Sequence, residues 1–169
     1  MEVVHALIQA GAALNQARDN GATPLFIACH RGHVEMVHAL IQAGADLNQA
    51  MDNGDTPLHR ACQEGHVEAV HALIQAGAAL NQADHNGATP LFIACHEGHV
   101  EMVHALIQAG ADLNQAMDNG ATPLRIAYQQ GHLEVARTLF EARAGRISPL
   151  LGRIRALADK EGGSQRSPS

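Results

Sequence analysis

The stretch Asn20 to Gln49, NGATPLFIACHRGHVEMVHALIQAGADLNQ, returns at a fixed spacing of 33 residues. It restarts at Asn53 and at Asn86, and a more changed version starts at Asn119. Asn-Gly falls at 20, 53, 86 and 119, Thr-Pro-Leu at 23, 56, 89 and 122, and Gly-His at 32, 65, 98 and 131. A period of this size means a stack of supersecondary units, each contacting its neighbours and none able to bury its apolar face alone. Any fold for this chain must therefore be an array, although its length would also suit one globular domain.

The local chemistry of one unit reads as turn–helix–helix. Asn-Gly tolerates positive φ and favours a tight hairpin-like turn. Thr23 can cap free backbone N–H groups, and Pro24 sits where a first helical residue loses no hydrogen bond. The expected first helix is short, Pro24 to Arg31, with Gly32 as its left-handed stop. A second helix is expected from about His33 to Ala43, because Val34, Val37, Leu40 and Ile41 share one face. Gly44 closes it, and Ala45 to Ala50 returns extended to the next Asn-Gly.

The unit resembles the ankyrin repeat, whose signature T-P-L-H-x-A stands in full at Thr56-Pro57-Leu58-His59-Arg60-Ala61. The other units keep Thr-Pro-Leu and the alanine but carry Phe26, Phe92 and Arg125 in place of His59. The second signature, G-H-x-E followed by G-A-D-x-N, is present at Gly32 to Glu35 and Gly44 to Asn48, and again at Gly98 to Glu101 and Gly110 to Asn114. The resemblance covers about residues 1–142. It implies an all-α ankyrin-repeat solenoid of stacked helix–turn–helix units with hairpin-like loops. The expected divisions are a partial unit 1–17, repeats 18–50, 51–83 and 84–116, and a degenerate repeat 117–145. A capping helix 146–160 and a disordered tail 161–169 follow.

Composition limits what such an array can do. Aromatic residues are only 2% and Trp is absent, so the core must be Leu, Ile, Val, Ala, Met and Cys. The net charge is −6, made of −9 over residues 1–140 and +3 over residues 141–169. An acidic array argues against nucleic acid, since phosphate binding needs clustered positive charge. No apolar run approaches the length of a membrane span, and no signal-peptide pattern opens the chain. Cys29, Cys62 and Cys95 occupy equivalent places in successive first helices. Packed helices lie about 8–10 Å apart, and a disulfide needs Cα atoms within about 7 Å. The cysteines are therefore expected as free core residues, which fits an intracellular compartment, cytoplasmic or nuclear.

The two ends depart from the pattern. Met1 to Arg18 aligns with a second helix and loop, so Val4, Leu7 and Ile8 have no preceding unit to cover them. The expectation is a fragment of a longer array, or an apolar end that frays or associates; the chain is otherwise expected to be a monomer. In the last unit Arg143 replaces the closing glycine, so the second helix is expected to run on. Beyond it, Pro149 to Asp159 carries the apolar stripe Leu150, Leu151, Ile154, Leu157 and Ala158, expected to cover the open end. A partner- or membrane-surface helix is the alternative. Glu161 to Ser169 is polar and rich in Gly, Ser and Pro.

The residues that invite chemistry are better explained by packing. Most of the twelve histidines fall in two columns, His33/His66/His99/His132 and His5/His38/His71/His104. Column members one unit apart cannot share an ion that needs bonds of about 2.0–2.1 Å. The resemblance implies that the Gly-His histidines bond neighbouring loops; a pH-sensitive surface remains open. Cys29 and His33 recur as a pair in each of the first three units, as a packing rule would produce, and no nucleophile elbow or phosphate loop is present. No enzyme activity, cofactor or metal is expected.

What remains is surface. The resemblance implies a concave binding face built from hairpin tips and first helices. Carried onto this sequence, the tips supply Arg18, Asp19, Asn20, Met51, Asp52, Asn53, Asp55, Asp84, His85, Asn86, Met117, Asp118 and Asn119. The first helices supply His30, Arg31, Gln63, Glu64, His96, Glu97, Gln129 and Gln130. Met51 and Met117 replace a frequent family aspartate and offer adaptable apolar contact. The face reads as mostly acidic with some histidine, so the expected partner is a protein of basic or mixed charge. The alternative is an architectural spacer in a larger protein whose activity lies elsewhere, a reading favoured by the near-identity of the units at Asn20 and Asn86. They differ at Asp19/His85 and Arg31/Glu97. The resemblance also implies that the loop residues Asn48 and Asn114 are open to hydroxylation, though their main role would be to bond the loop backbone.

Overall fold

The computed structural model describes residues 6 and 9–145. In chain order its helices are α1 Pro24–Arg31, α2 Val34–Gln42, α3 Pro57–Glu64, α4 Val67–Gln75, α5 Pro90–Glu97, α6 Val100–Ala109 and α7 Pro123–Gln129. The chain is helical again over 133–145, here α8. Among the described residues there is no strand. None of their helices is long and apolar enough to cross a membrane. Val4, Leu7, Ile8, the expected cap Pro149 to Asp159 and the tail lie outside the described residues.

Each first helix starts and stops as its sequence asks. The hydroxyls of Thr23, Thr56, Thr89 and Thr122 accept hydrogen bonds from the backbone N–H three residues on, and proline follows each cap. Gly32, Gly65 and Gly98 end α1, α3 and α5 at φ 65, 80 and 80°. The second helices begin one residue later than expected. His33, His66 and His99 precede them without a capping side-chain bond.

Those histidines are used between units instead. His66 Nε2 donates to the His30 carbonyl at 3.2 Å, and His132 Nε2 to the His96 carbonyl at 2.9 Å. The preceding unit's glycine makes room for the ring: a Cβ on Gly32 or Gly98 would come within 2.6 Å of His66 or His132. Gly-His is thus a coupled pair across an interface. Its glycine supplies a left-handed stop and a seat for the next unit's imidazole.

First helices pack in the row α1–α3–α5–α7, second helices in the row α2–α4–α6, and the two rows pack on each other within each of the first three units. The core between them is one continuous cluster from Leu25 to Leu139. Ala28, Ala61, Ala94 and Ala127 are fully buried, and small side chains there let neighbouring backbones approach. Leu25, Leu58 and Leu91 are buried in equivalent places. Complete burial of such a side chain is worth about 1.5–3 kcal/mol. Cys29, Cys62 and Cys95 are free and buried, as expected. Burial pushes the Cys29 and Cys95 thiols up to about 12 and the Cys62 thiol higher still, so they pack as small apolar groups.

The fourth unit is built from the same parts but is open on one side. Its helix α8 continues through Arg143, where the other units have Gly44, Gly77 and Gly110. Tyr128, in the place of the cysteines, is 61% exposed, and Leu133 and Phe140 are 67% and 66% exposed. Their counterparts in the earlier units are less exposed: the cysteines are buried, and Val34, Val67, Val100, Ile41, Ile74 and Ile107 are half-buried.

Candidate functional site

The hairpin tips are joined along the stack. Asp52 N–H donates to the Asn20 carbonyl at 3.2 Å, His85 N–H to Asn53 at 3.0 Å, and Asp118 N–H to Asn86 at 3.0 Å. Within the tips at 20, 53 and 119 the asparagine Oδ1 accepts a bond from the N–H two residues on. The third tip differs: Asp84 Oδ1 accepts from both Asn86 N–H and Ala88 N–H at 2.8 Å. Gly54 lies so close to the next tip that a Cβ would meet the His85 nitrogen at 2.7 Å. On the other edge, Asn48 Oδ1 accepts from Ala79 N–H of the next unit at 2.8 Å, while the Asp46 carboxylate holds Asn48 N–H. Asn114 has the same hold from Asp112, but no described unit follows it.

Between the tips and the first helices lie two grooves. The first, about 340 Å³, is lined by Arg18, Asn20, Ala22, Phe26, Ile27, His30, Arg31, Met51 and Arg60. The second, about 360 Å³, is lined by Gln63, Asp84, Ala88, Phe92, Ile93, His96, Glu97, Met117, Asn119, Ala121, Ile126 and Gln129. The floors repeat: Phe26 and Phe92 are equally buried, beneath Met51 and Met117. Of the residues expected on this face, Asp19, Asp52, Asn53, His85, Asn86 and Asp118 are exposed at the tips without lining either groove. Gln130 reaches back to His96 Nε2 at 3.1 Å.

The electrostatics of the two grooves differ. The first is lined by three arginines and no carboxylate; the second by two carboxylates and no arginine or lysine. Arg60 is held in place by Asp55 at 3.2 Å and Glu64 at 3.4 Å, and its guanidinium lies 5.3 Å from the centre of the Phe26 ring. Asp55 and Glu64, expected as open acidic positions, therefore serve an intramolecular network, and Glu64 also meets His30 Nδ1 at 3.2 Å. Glu97 meets the neighbouring His96 at 2.9 Å. Within a face expected to be mostly acidic, the two grooves thus carry linings of opposite charge.

His59 stands between the grooves and is 1% exposed. Its Nδ1 accepts from Thr56 N–H at 3.2 Å, and its Nε2 donates to the Ala88 carbonyl at 2.9 Å. Burial lowers its pKa below the ordinary imidazole value, and the Ala88 bond only partly opposes this. The neutral Nε2–H form is the one that satisfies both bonds. Sequence reasoning placed His59 in a motif but missed its bridge to the next tip. It also passed over the floor residues Phe26, Ile27, Arg60, Phe92, Ile93 and Ile126, and the Arg18/Asp84 exchange. The two phenylalanines, in the place of the motif histidine, were the available signal.

Among the described residues no three His, Cys, Asp or Glu side chains are grouped to hold a metal ion. The curated proteins yield no match to the chain. A family model of ankyrin repeats, in three copies, matches residues 1–84 and 73–148. That span holds every described helix, the threonine–proline starts, the interlocked Gly-His pairs and the joined tips, and on these grounds the chain belongs to the ankyrin repeat family.

Proposed function

We propose that the chain is a non-catalytic binding module that recognises a partner protein through the face formed by the tips and first helices. Ankyrin repeats are generally protein–protein interaction modules and typically non-catalytic. The observation that carries the reading is the pair of grooves with apolar floors and polar rims, set on tips already joined by backbone bonds. A surface ordered in advance loses little conformational freedom on binding.

The test is capture from a lysate of the source cells. The wild type is compared with a face variant (Arg31→Ala, Met51→Ala, His85→Ala, Met117→Ala) and a back variant (His38→Ala, His71→Ala, His104→Ala). Circular dichroism first establishes that all three are folded. A protein kept by the wild type and the back variant but lost by the face variant is the expected result. Loss only with the back variant, or equal retention by all three, rejects this face. Retention by none favours the spacer reading.

A further inference from the structure

We propose that this face takes an extended protein segment of divided charge, with a carboxylate-bearing residue over the first groove and a cationic residue over the second. The proposal rests on the preceding reading of the face as the recognition surface, and it specifies the partner's chemistry.

The two grooves are copies of one design with the charge reversed. Ala22, Phe26, Ile27, His30 and Met51 have as counterparts Ala88, Phe92, Ile93, His96 and Met117. Packing and polar matching of the floor are therefore common to both. Of the three equivalent lining positions that change, two reverse their charge, Arg18 becoming Asp84 and Arg31 becoming Glu97, and the third, Arg60, becomes the neutral Ile126.

These charges are available. Among the described residues Arg18 and Arg31 take part in no ion pair. Asp84 commits only its Oδ1 to the tip. Glu97 is held only by the adjacent His96, at side-chain exposures of 35% and 43%, and such a surface pair is worth little. Other charges nearby reduce the division without reversing it. Asp55 and Glu64 are engaged by Arg60. The tip acids Asp19 and Asp52 stand beside the first groove without lining it, as Asp118 and the exposed Arg125 do at the second.

The spacing sets the length of the occupant. Equivalent points lie two units apart, about 16–20 Å at the usual separation of packed helices. An extended chain rises about 3.3 Å per residue. The carboxylate and the cation should thus be about five or six residues apart, each beside an apolar side chain that rests on Phe26 or Phe92. Complementary rim charges of this kind select partners and orientation and make binding sensitive to salt.

The experiment uses fluorescence anisotropy at about 20 mM salt, where screening is weak. The probes are labelled peptides of equal length and leucine content. Two carry an aspartate pair and a lysine pair six residues apart, in either order; the controls carry only aspartates or only lysines. The expected result is that one divided peptide binds at least about tenfold more tightly than either control. Arg31→Glu should abolish that preference. Exchanging both positions, Arg18→Asp and Arg31→Glu together with Asp84→Arg and Glu97→Arg, should transfer it to the peptide of opposite order, with circular dichroism unchanged. Controls that bind as well, binding of no peptide, or indifference to Arg31→Glu overturns the proposal. So does a wild-type dimer in sedimentation velocity that Arg31→Glu dissolves, since the occupant would then be a second copy of the chain. A captured partner that is lost with the face variant but unaffected by the charge reversal would leave the functional reading standing and remove this one.

Discussion

The first and second grooves share a floor and differ at the rim, and the contrast separates two kinds of constraint. Phe26 and Phe92 sit at the same place after identical capped helix starts, and Phe92 packs with Ala88 and with Ala121 of the next unit. Changing either would disturb packing against the next unit. Arg18 and Asp84, or Arg31 and Glu97, project from the same backbone into solvent or a groove, and the stack tolerates either sign. Repetition thus conserves the scaffold by packing while leaving the rim free to vary.

The largest test of a common scaffold is in the core. Leu25→Ala and Leu91→Ala each remove a fully buried side chain and should each cost about 2–5 kcal/mol in urea unfolding. Leu91 lies in α5, which packs between α3 and α7, and should give the larger value. A Leu25 variant that loses more would mean that the units are not equivalent at the core. At the tips, Gly54→Ala must place a Cβ at φ 89° and 2.7 Å from the His85 nitrogen. Its cost should exceed the ~1–2 kcal/mol of a left-handed alanine alone. Gly120→Ala, at φ 78° with nothing within 4 Å, should show only that penalty. Equal melting shifts for the two would show that contact between tips contributes nothing.

The bridge between the grooves should be visible in pH dependence. The pKa of His59 is lowered in the fold, so the unfolded chain, titrating near the ordinary value of 6.5, takes up the proton first. The stability from neutral His59 is complete above that value and is lost as pH falls toward the lowered pKa, by up to about 1.4 kcal/mol per pH unit. His59→Phe, which copies the first and third units, should remove this slope. It should cost about 1–3 kcal/mol at neutral pH, because the buried Thr56 N–H loses its acceptor and the Ala88 carbonyl keeps only the Asp84 N–H. An unchanged acid profile in denaturant titrations at pH 5 to 7 would assign the slope to other groups. The smallest effect is expected for Arg60→Ile, which copies Ile27 and Ile93. The Asp55–Arg60 pair is mostly covered, with side chains 13% and 19% exposed. Asp55 keeps a bond from Asn53, however, and the substitution also removes the buried, unpaired Arg60 Nε, so the terms should largely offset and the melting temperature should move little. A large loss would show that the Asp55–Arg60–Glu64 network organises the middle unit.

Much of this architecture could be read from the chain. The first helices ran from Pro24, Pro57, Pro90 and Pro123 because threonine, proline and glycine are local signals that act through one or two dihedrals and one hydrogen bond. The second helices were displaced by a residue because His33, His66 and His99 looked like helix while His66, for one, is committed to the neighbouring unit. The face was legible as a set of positions, but its division was not. Spacing alone places Asp55 and Glu64 on the binding face, whereas Arg60 engages both, and it marks Phe26 and Phe92 only as replacements of the motif histidine.

The sequence by itself determined the family, the period, the helix starts and stops, and the place of the free cysteines. Each depends on spacing along the chain and on the conformational preferences of single residues. Only the tertiary structure decided the rest. It brought Gly32 against His66, His59 against Ala88, and Arg60 over Phe26. It also placed residues of opposite charge from two nearly identical units in grooves of similar volume, about 340 and 360 Å³. Those contacts join residues about one unit apart, and the geometry that closes them is set by how the units stack, which no local signal contains.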